Sequence, residues 1–176
     1  AGSRSDALIS NTDFAATLLD YTGGAAPASS QGRSFRSIME TGEEPIGWRT
    51  ALYYRYWMHM KHHYNPAHFG IRTKEWKLIF FYGSDVKEGK GTGRTPPGWE
   101  LYHLSSDPKE MNNVYDNPEY QTIREELKEK LIAVRAEVKD SDKDNPFIQG
   151  IIDKHWDGGE EAEAEAIRIS NELAKN

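Results

Sequence analysis

Three runs of aromatic and β-branched residues lie close together in the middle of the chain and limit what it can fold into. They cover residues 51–57, 69–73 and 76–82. Such residues favour β-strands, because they pack well on a pleated, half-buried surface. Two residues separate the last two runs, which suits a hairpin, whereas residues 59–66 form a longer polar connection. With a fourth alternating run at 99–104, the sequence predicts a four-stranded antiparallel sheet.

Helical spacing of apolar residues appears on both sides of this region. Asn117-Pro118 is a strong helix start, and the apolar face that follows consists of Tyr120, Ile123, Leu127, Leu131, Val134 and Val138. This long helix should cover one side of the sheet. Shorter helices are predicted from Asn11 to Tyr21 and from Ser34 to Met39. The predicted fold class is therefore α+β, with a small antiparallel sheet packed by a long C-terminal helix and preceded by a helix.

The last part of the chain has a different composition. An acidic run after Asp140 ends the long helix, and an Ala/Glu-rich helix with a thin apolar stripe begins near Glu160. Mean hydropathy is low, at −0.79. We therefore expect the segment after Asp140 to be an acidic, partly helical tail that packs loosely or extends.

Charge and cysteine content exclude several functions. A net charge of −6 argues against a nucleic-acid partner, because phosphate binding requires a basic face. No apolar run reaches the length of a membrane helix, so no membrane partner is expected. The chain has no cysteine, which excludes disulfides, thiolate metal sites and cysteine nucleophiles. It also lacks the Gly-x-Ser-x-Gly motif of serine hydrolases and a phosphate-binding glycine loop.

The side chains best suited to ligand binding or catalysis lie at and after the first predicted strand. They are Arg55, Trp57, His59, Lys61, His62, His63, Tyr64 and His68. A metal site is one interpretation, but no carboxylate accompanies the histidines, and adjacent His62 and His63 would diverge. A solvated loop is the other interpretation, at least for Lys61, His62 and His63. His68 differs, because a histidine just before Phe69-Gly70 at a strand entrance can be held on a cleft wall.

Several segments occur in an order that resembles the C-terminal third of type I sulfatases, in the alkaline phosphatase superfamily. The resemblance begins at residues 5–20, continues through 31–34 and Trp48-Arg49, and extends to about Arg135. Its most specific motifs are His-Phe-Gly-Ile-Arg-Thr at 68–73 with Trp-Lys-Leu-Ile at 76–79, and Trp-Glu-Leu-Tyr-His-Leu at 99–104 with Asp-Pro-Lys-Glu-Met-Asn-Asn at 107–113. The sequences of these motifs most resemble those of sulfatases that act on sulfated glycans, of the N-acetylglucosamine-6-sulfatase-like or heparan type.

This resemblance implies a domain organisation. Residues 1–47 would be the end of the catalytic domain and a connection, residues 48–140 the C-terminal subdomain, and residues 141–176 the acidic tail. The chain would be a piece of a longer sulfatase, periplasmic or secreted, whose partners are its own catalytic domain and a sulfated glycan. A sheet separated from that domain should expose apolar surface, so we also expect the chain to self-associate.

The resemblance also implies which chemistry belongs elsewhere. Family members use a formylglycine, made from a Cys/Ser-x-Pro-x-Arg motif, and a calcium ion. Here the nearest segment, Ser106-Asp107-Pro108-Lys109-Glu110, has Glu in place of Arg. We therefore expect no catalytic residue, metal ligand or cofactor in this chain, and no activity of the chain alone. Its expected role is at the substrate-pocket rim, with His68 as the first candidate and His59, Arg55 and Trp57 as weaker ones.

Two alternatives stay open at this stage. The chain could be a non-catalytic module that binds a saccharide or a protein through its aromatic, histidine-rich face. It could instead come from a phosphate or phosphonate monoester hydrolase, a sibling branch of the same superfamily.

Overall fold

The computed structural model describes residues 4–85 and 93–175. The glycine-rich connection predicted before the fourth strand therefore lies partly outside the described residues. The chain divides into two compact units, Ala1–Leu52 and Tyr53–Asn176. The domain limits implied by the resemblance stay a prediction. Within the described ranges, no helix has both the length and the apolar character needed to cross a membrane.

The first unit is organised by a buried carboxylate. Helices α1 (Asp13–Tyr21) and α2 (Arg36–Thr41) confirm the two predicted helices. The Asp13 carboxylate accepts hydrogen bonds from the backbone N–H of Ser10 at 2.7 Å and of Arg33 at 2.8 Å, and it pairs with the Arg49 guanidinium. Burial alone would raise the pKa of Asp13, but these hydrogen bonds outweigh it and hold the pKa below its usual value.

The second unit contains the predicted sheet, except that Leu52, the first residue of the first strand, belongs to the first unit. The strands of the sheet are β1 (Leu52–Tyr56), β2 (His68–Arg72), β3 (Trp76–Phe81) and β4 (Gly98–His103), hydrogen-bonded in chain order. Strands β2 and β3 are antiparallel, with Gly70 opposite Ile79, and β3 and β4 are antiparallel, with Ile79 opposite Glu100. This confirms the predicted four-stranded antiparallel sheet.

The predicted long helix is also present. A 3₁₀ turn (Pro118–Tyr120) leads into α3 (Gln121–Glu137), and the Asn117 side chain accepts a hydrogen bond from the Glu119 N–H, as an N-cap does. Two more helices follow, α4 (Pro146–His155) and α5 (Glu160–Leu173). One sheet face and helices α3 and α4 enclose the main core, which contains Phe69, Ile71, Leu78, Phe80, Trp99, Leu101, Leu127, Leu131, Ile148, Ile151 and Ile152.

Helix α4 corrects one expectation. We expected the chain after Asp140 to pack loosely, but Ile148, Ile151 and Ile152 are buried in the main core. The start signal is readable, since Asn145 accepts a hydrogen bond from the Ile148 N–H and Pro146 occupies the first turn. The acidic residues on either side hid this short apolar helix. The expectation of loose packing was wrong because charge density says little about the few positions that face a core.

Candidate functional site

The pleat of the sheet separates the candidate residues onto two faces. Side chains alternate along a strand, so His68 and Phe69 point to opposite sides. Phe69 belongs to the core beneath α3 and α4. His68 packs on the other side, which we call the second face and define by Tyr54, Tyr56, His68, Lys77, Ile79, Phe81 and Tyr102.

His68 is held in a defined orientation on the second face. Its ring lies 4.9 Å from that of Phe81, 5.6 Å from that of Tyr56 and 5.8 Å from that of Tyr54, between ring centroids. Its Nδ1 lies 2.7 Å from the Pro66 carbonyl oxygen. A carbonyl oxygen only accepts, so Nδ1 carries the proton and Nε2 of the neutral ring is left as an acceptor. Burial lowers the pKa of His68, which favours this neutral form.

The second face carries hydrogen-bond donors and acceptors beside its aromatic rings. Lys77 Nζ lies 2.5 Å from a Glu110 carboxylate oxygen, and the Tyr102 hydroxyl donates to Glu100 at 3.0 Å. Burial, followed by that hydrogen bond, raises the pKa of Tyr102 to about 12. These groups can meet hydroxyl groups of a ligand as both donors and acceptors.

Tyr54 is a residue that the sequence analysis did not single out. Its hydroxyl is buried and has no hydrogen-bond partner within the part of the chain that the structure describes. A buried hydroxyl without a partner is costly, so such a group often marks a place for water or a ligand. The hydroxyl lies over Gly70, where a Cβ would come within 2.9 Å of it. The alternation of β1 could have placed Tyr54 beside His68, but nothing local indicates an unpaired hydroxyl.

Arg55 and Trp57 come together on the opposite side from His68. The Arg55 guanidinium lies 3.6 Å from the Trp57 ring centroid and also over Phe69, a core residue. It donates to Asp142 at 2.7 Å and to Asp140 at 3.0 Å, and its side chain is only 3% exposed. Both carboxylates follow α3, so Arg55 ties the end of that helix to β1. As substrate ligands, Arg55 and Trp57 stay predictions.

The rest of this ion-pair group was missed by sequence reasoning. Arg135 donates to Asp142 at 2.7 Å, and the Tyr53 hydroxyl donates to Asp140. Burial, and then Asp140, raise the pKa of Tyr53. We name Tyr53, Arg55, Arg135, Asp140 and Asp142 the Arg55 cluster. The sequence predicts only that Asp140 and Asp142 end the long helix, because no local signal connects them to a strand so far away in the chain.

The His59 side chain forms a hydrogen bond with the backbone of its own connection. It is fully buried, and its Nδ1 accepts a hydrogen bond from the Ala67 N–H at 3.1 Å. Burial lowers its pKa, partly offset by a hydrogen bond with the Gly93 backbone. His59 thus joins the two ends of the connection between β1 and β2, and its role as a substrate ligand stays a prediction.

A metal centre among the histidines finds no support in residues 4–85 and 93–175. No group of three or more His, Cys, Asp or Glu side chains there is placed to hold a metal ion. The calcium ion implied by the family resemblance finds no such ligand group within the described ranges, and the sequence contains no Cys/Ser-x-Pro-x-Arg motif from which a formylglycine could be made. We therefore derive no chemical step through either group.

Comparison with known proteins gives a consistent result. The family model described as N-sulphoglucosamine sulphohydrolase, C-terminal, matches residues 1–137. The chain is 39% identical over 145 residues to an N-acetylglucosamine-6-O-sulfatase of Bacteroides thetaiotaomicron, covering 82% of this chain and 24% of that protein. It is 30% identical over 149 residues to an ulvan-active sulfatase of Formosa agariphila, covering 72% and 28%. The chain thus spans about a quarter of the length of these relatives.

Solved structures of similar fold include a complex with a sulfated sugar and a hydrolase of phosphonate esters. One, a complex with its substrate D-glucosamine-2-N,6-O-disulfate, is similar with a TM-score of 0.64 and 37% identity, over 75% of this chain and 25% of that chain. A phosphonate monoester hydrolase of Agrobacterium radiobacter is similar with a TM-score of 0.53 and 25% identity, over 72% and 24%.

Proposed function

The chain belongs to the sulfatase family whose C-terminal region the N-sulphoglucosamine sulphohydrolase model describes, and on that premise we propose that it is the C-terminal part of a longer sulfuric ester hydrolase. The observation that carries this proposal is the match over residues 1–137 together with 39% identity to an N-acetylglucosamine-6-O-sulfatase. The substrate of the longer protein is a sulfated glycan. We place the longer protein in the periplasm or outside the cell.

In this proposal the chain supplies neither the nucleophile nor the metal. It has no cysteine and no Ser-x-Pro-x-Arg motif, so a formylglycine and a calcium ion would belong to the rest of the longer protein. The 176-residue chain alone is then inactive. An assay for sulfate release by this chain from D-glucosamine-2-N,6-O-disulfate should show none.

The contribution of this chain is to bind the sugar, with His68 as the central residue. Its orientation is fixed by Pro66 and three aromatic rings, so Nε2 can accept a hydrogen bond from a sugar hydroxyl without further ordering. The Tyr54 hydroxyl lies on the same face but is buried, so we assign it no contact with the sugar. His59, Arg55 and Trp57 remain weaker candidates for the rim, because His59 and Arg55 already have partners inside the fold.

The partner of this chain in the proposal is the catalytic domain of the same protein. Large apolar side chains of the first unit are exposed, among them Phe14, Leu18, Met39 and Ile46. Large exposed apolar side chains are frequent on surfaces that a partner covers, so we expect the catalytic domain to cover these.

The test is kinetic and uses the longer protein that contains this chain. We expect sulfate release from D-glucosamine-2-N,6-O-disulfate, and His68→Ala should raise KM by roughly two- to tenfold, the value of one hydrogen bond. His68→Gln, which keeps a polar group of similar size, should retain more affinity. His103→Ala is the matched control, since His103 pairs with Trp76 at the other end of the sheet. No sulfate release would refute the proposal, and equal KM values for His68→Ala and His103→Ala would refute the role of His68.

A second candidate is a phosphonate or phosphate monoester hydrolase, favoured by the likeness to the Agrobacterium enzyme. The same longer protein assayed on a phosphonate monoester would distinguish the two. Hydrolysis of the phosphonate ester without sulfate release would replace the first proposal with the second.

A further inference from the structure

The connection between β1 and β2, residues 57–66, has an unusual backbone, and we name it the histidine loop. Three of its non-glycine residues have positive φ, namely Met60 at 53°, His62 at 60° and Tyr64 at 51°. Residues with a Cβ seldom adopt this conformation, and each instance costs free energy that the surrounding structure must supply. Such residues cluster at ligand-binding segments, so a loop with three of them calls for an explanation.

The loop is held in this conformation by its own hydrogen bonds. Buried His59 accepts from the Ala67 N–H at 3.1 Å, which fixes the loop's base. The Met60 N–H donates to the Asn65 carbonyl at 2.9 Å, and the Tyr56 hydroxyl donates to the Lys61 carbonyl at 3.1 Å. A surface that is already ordered loses little entropy when it binds a ligand.

This ordered loop presents an aromatic ring and basic side chains to solvent. Tyr64 is 81% exposed and Trp57 is 47% exposed, and Lys61, His62 and His63 are exposed as well. No Asp or Glu occurs between Pro45 and Lys74, although the whole chain carries a net charge of −6. Lys61 forms an ion pair with Asp85, whose carboxylate oxygen lies 3.5 Å from Nζ, while the Lys61 side chain stays 49% exposed.

We propose that the histidine loop is a second saccharide-binding surface, at which Tyr64 stacks on a sugar ring and Lys61, His62 and His63 contact its sulfate groups. This inference rests on the proposed function, because it places the loop beside the sugar that His68 contacts. Rings with an apolar face and N–H donors that meet anionic oxygens are what a sulfated sugar requires. Charge complementarity favours a sulfated saccharide over a neutral one.

The histidine loop lies at the same end of the sheet as His68, as binding of one saccharide by both requires. Its last residue, Pro66, accepts the hydrogen bond of His68 at 2.7 Å, so the loop and His68 share one strand entrance. In this proposal, one saccharide reaches both His68 and the loop through neighbouring sugar units. The longer protein would then prefer oligosaccharides to monosaccharides.

Calorimetry on the 176-residue chain tests the inference, since the chain contains the entire loop. The probes are D-glucosamine-2-N,6-O-disulfate, a heparin-derived tetrasaccharide and an unsulfated heparosan tetrasaccharide. We expect the heparin tetrasaccharide to bind most tightly. Tyr64→Ala should weaken it by roughly two- to tenfold, the range of an aromatic contact, and leave the monosaccharide Kd unchanged. Tyr64→Phe should bind as the unaltered chain does.

The controls separate this inference from the proposed function. Tyr21→Ala removes another exposed tyrosine, on α1, and Lys109→Met serves as the match for Lys61→Met. If Tyr64→Ala and Lys61→Met bind the tetrasaccharide no more weakly than these controls, or if the unaltered chain does not bind it, the inference is wrong. Sulfate release by the longer protein, with its dependence on His68, would be unaffected by that result. Conversely, loop binding without sulfate release would leave the inference standing and remove the proposed function.

Discussion

At the scale of residues, identity alone did not reveal what Arg55 contacts. An arginine next to a tryptophan on a predicted strand suggests a ligand-binding cation. In the folded chain its charge is already balanced by Asp140 and Asp142, inside a cluster where Arg135 makes a further ion pair. Buried ion pairs add little when complete, but removing one partner leaves an uncompensated charge.

Asp142→Ala should therefore destabilise the chain strongly. Arg55 and Arg135 would both lose a buried carboxylate, so we expect the free energy of unfolding to fall by about 3 kcal/mol. The loss is no larger because Asp140 still pairs with both arginines. Urea unfolding measures it. Asp144→Ala, an exposed neighbour, should change stability by less than about 0.5 kcal/mol. Equal effects of the two substitutions would show that the Arg55 cluster is not buried in solution.

Glu165 should make stability depend on pH in the acidic range. Hydrogen bonds from Lys154, outweighing burial, and from Arg94 lower its pKa from 4.5 to about 2. A carboxyl whose pKa is lower in the folded state stabilises the fold above its unfolded pKa and loses this contribution as pH falls towards the folded value. Glu165→Gln should thus lower Tm near neutral pH, and the difference should disappear by about pH 2. Glu163→Gln, on the same helix, is the control and should show no such convergence.

At the scale of elements, the sequence predicted the strands and helices that have a strong local pattern of apolar residues, and it missed a helix whose pattern is weak. The four strands and α3 agree with their predicted positions because residue types and apolar spacing identify them locally. Helix α4 was missed, although it contributes three isoleucines to the core. Its ten residues carry too little periodic signal next to the surrounding acidic residues.

Ile148→Ala tests whether α4 is integral to the fold. Ile148 is fully buried, so its truncation should cost about 2–5 kcal/mol through lost contacts and a cavity. Ile167→Ala, on α5 and 61% exposed, removes the same atoms and should cost far less. Thermal or urea unfolding compares them. Similar small losses for both would restore the interpretation of a loosely packed tail.

At the scale of the whole molecule, the chain has apolar surface without a described cover. The exposed side chains of the first unit include Leu18 and Ile46, and the family comparison leaves about three quarters of the relatives' length outside the match. We expect a domain of the same protein or another copy of the chain to cover such side chains.

The isolated chain should therefore self-associate, as sedimentation velocity at increasing concentration would show. Replacing Leu18 and Ile46 together by lysine should shift the chain towards the monomer by removing apolar contact area. Met111→Lys is the control, because Met111 is exposed in the other unit. A wild-type chain that stays monomeric throughout would disprove this expectation.

The sequence by itself determined the four strands, helices α1 to α3 and the family, because residue types, caps and ordered motifs in neighbouring residues specify them. It also singled out His68 and its loop as the chemically richest segment. Tertiary structure decided the rest: which sheet face helices α3 and α4 cover, that His68 and Arg55 lie on opposite faces, and that Asp140 and Asp142 compensate Arg55. Those outcomes depend on contacts between residues far apart in the chain, and no local pattern specifies which distant side chains meet.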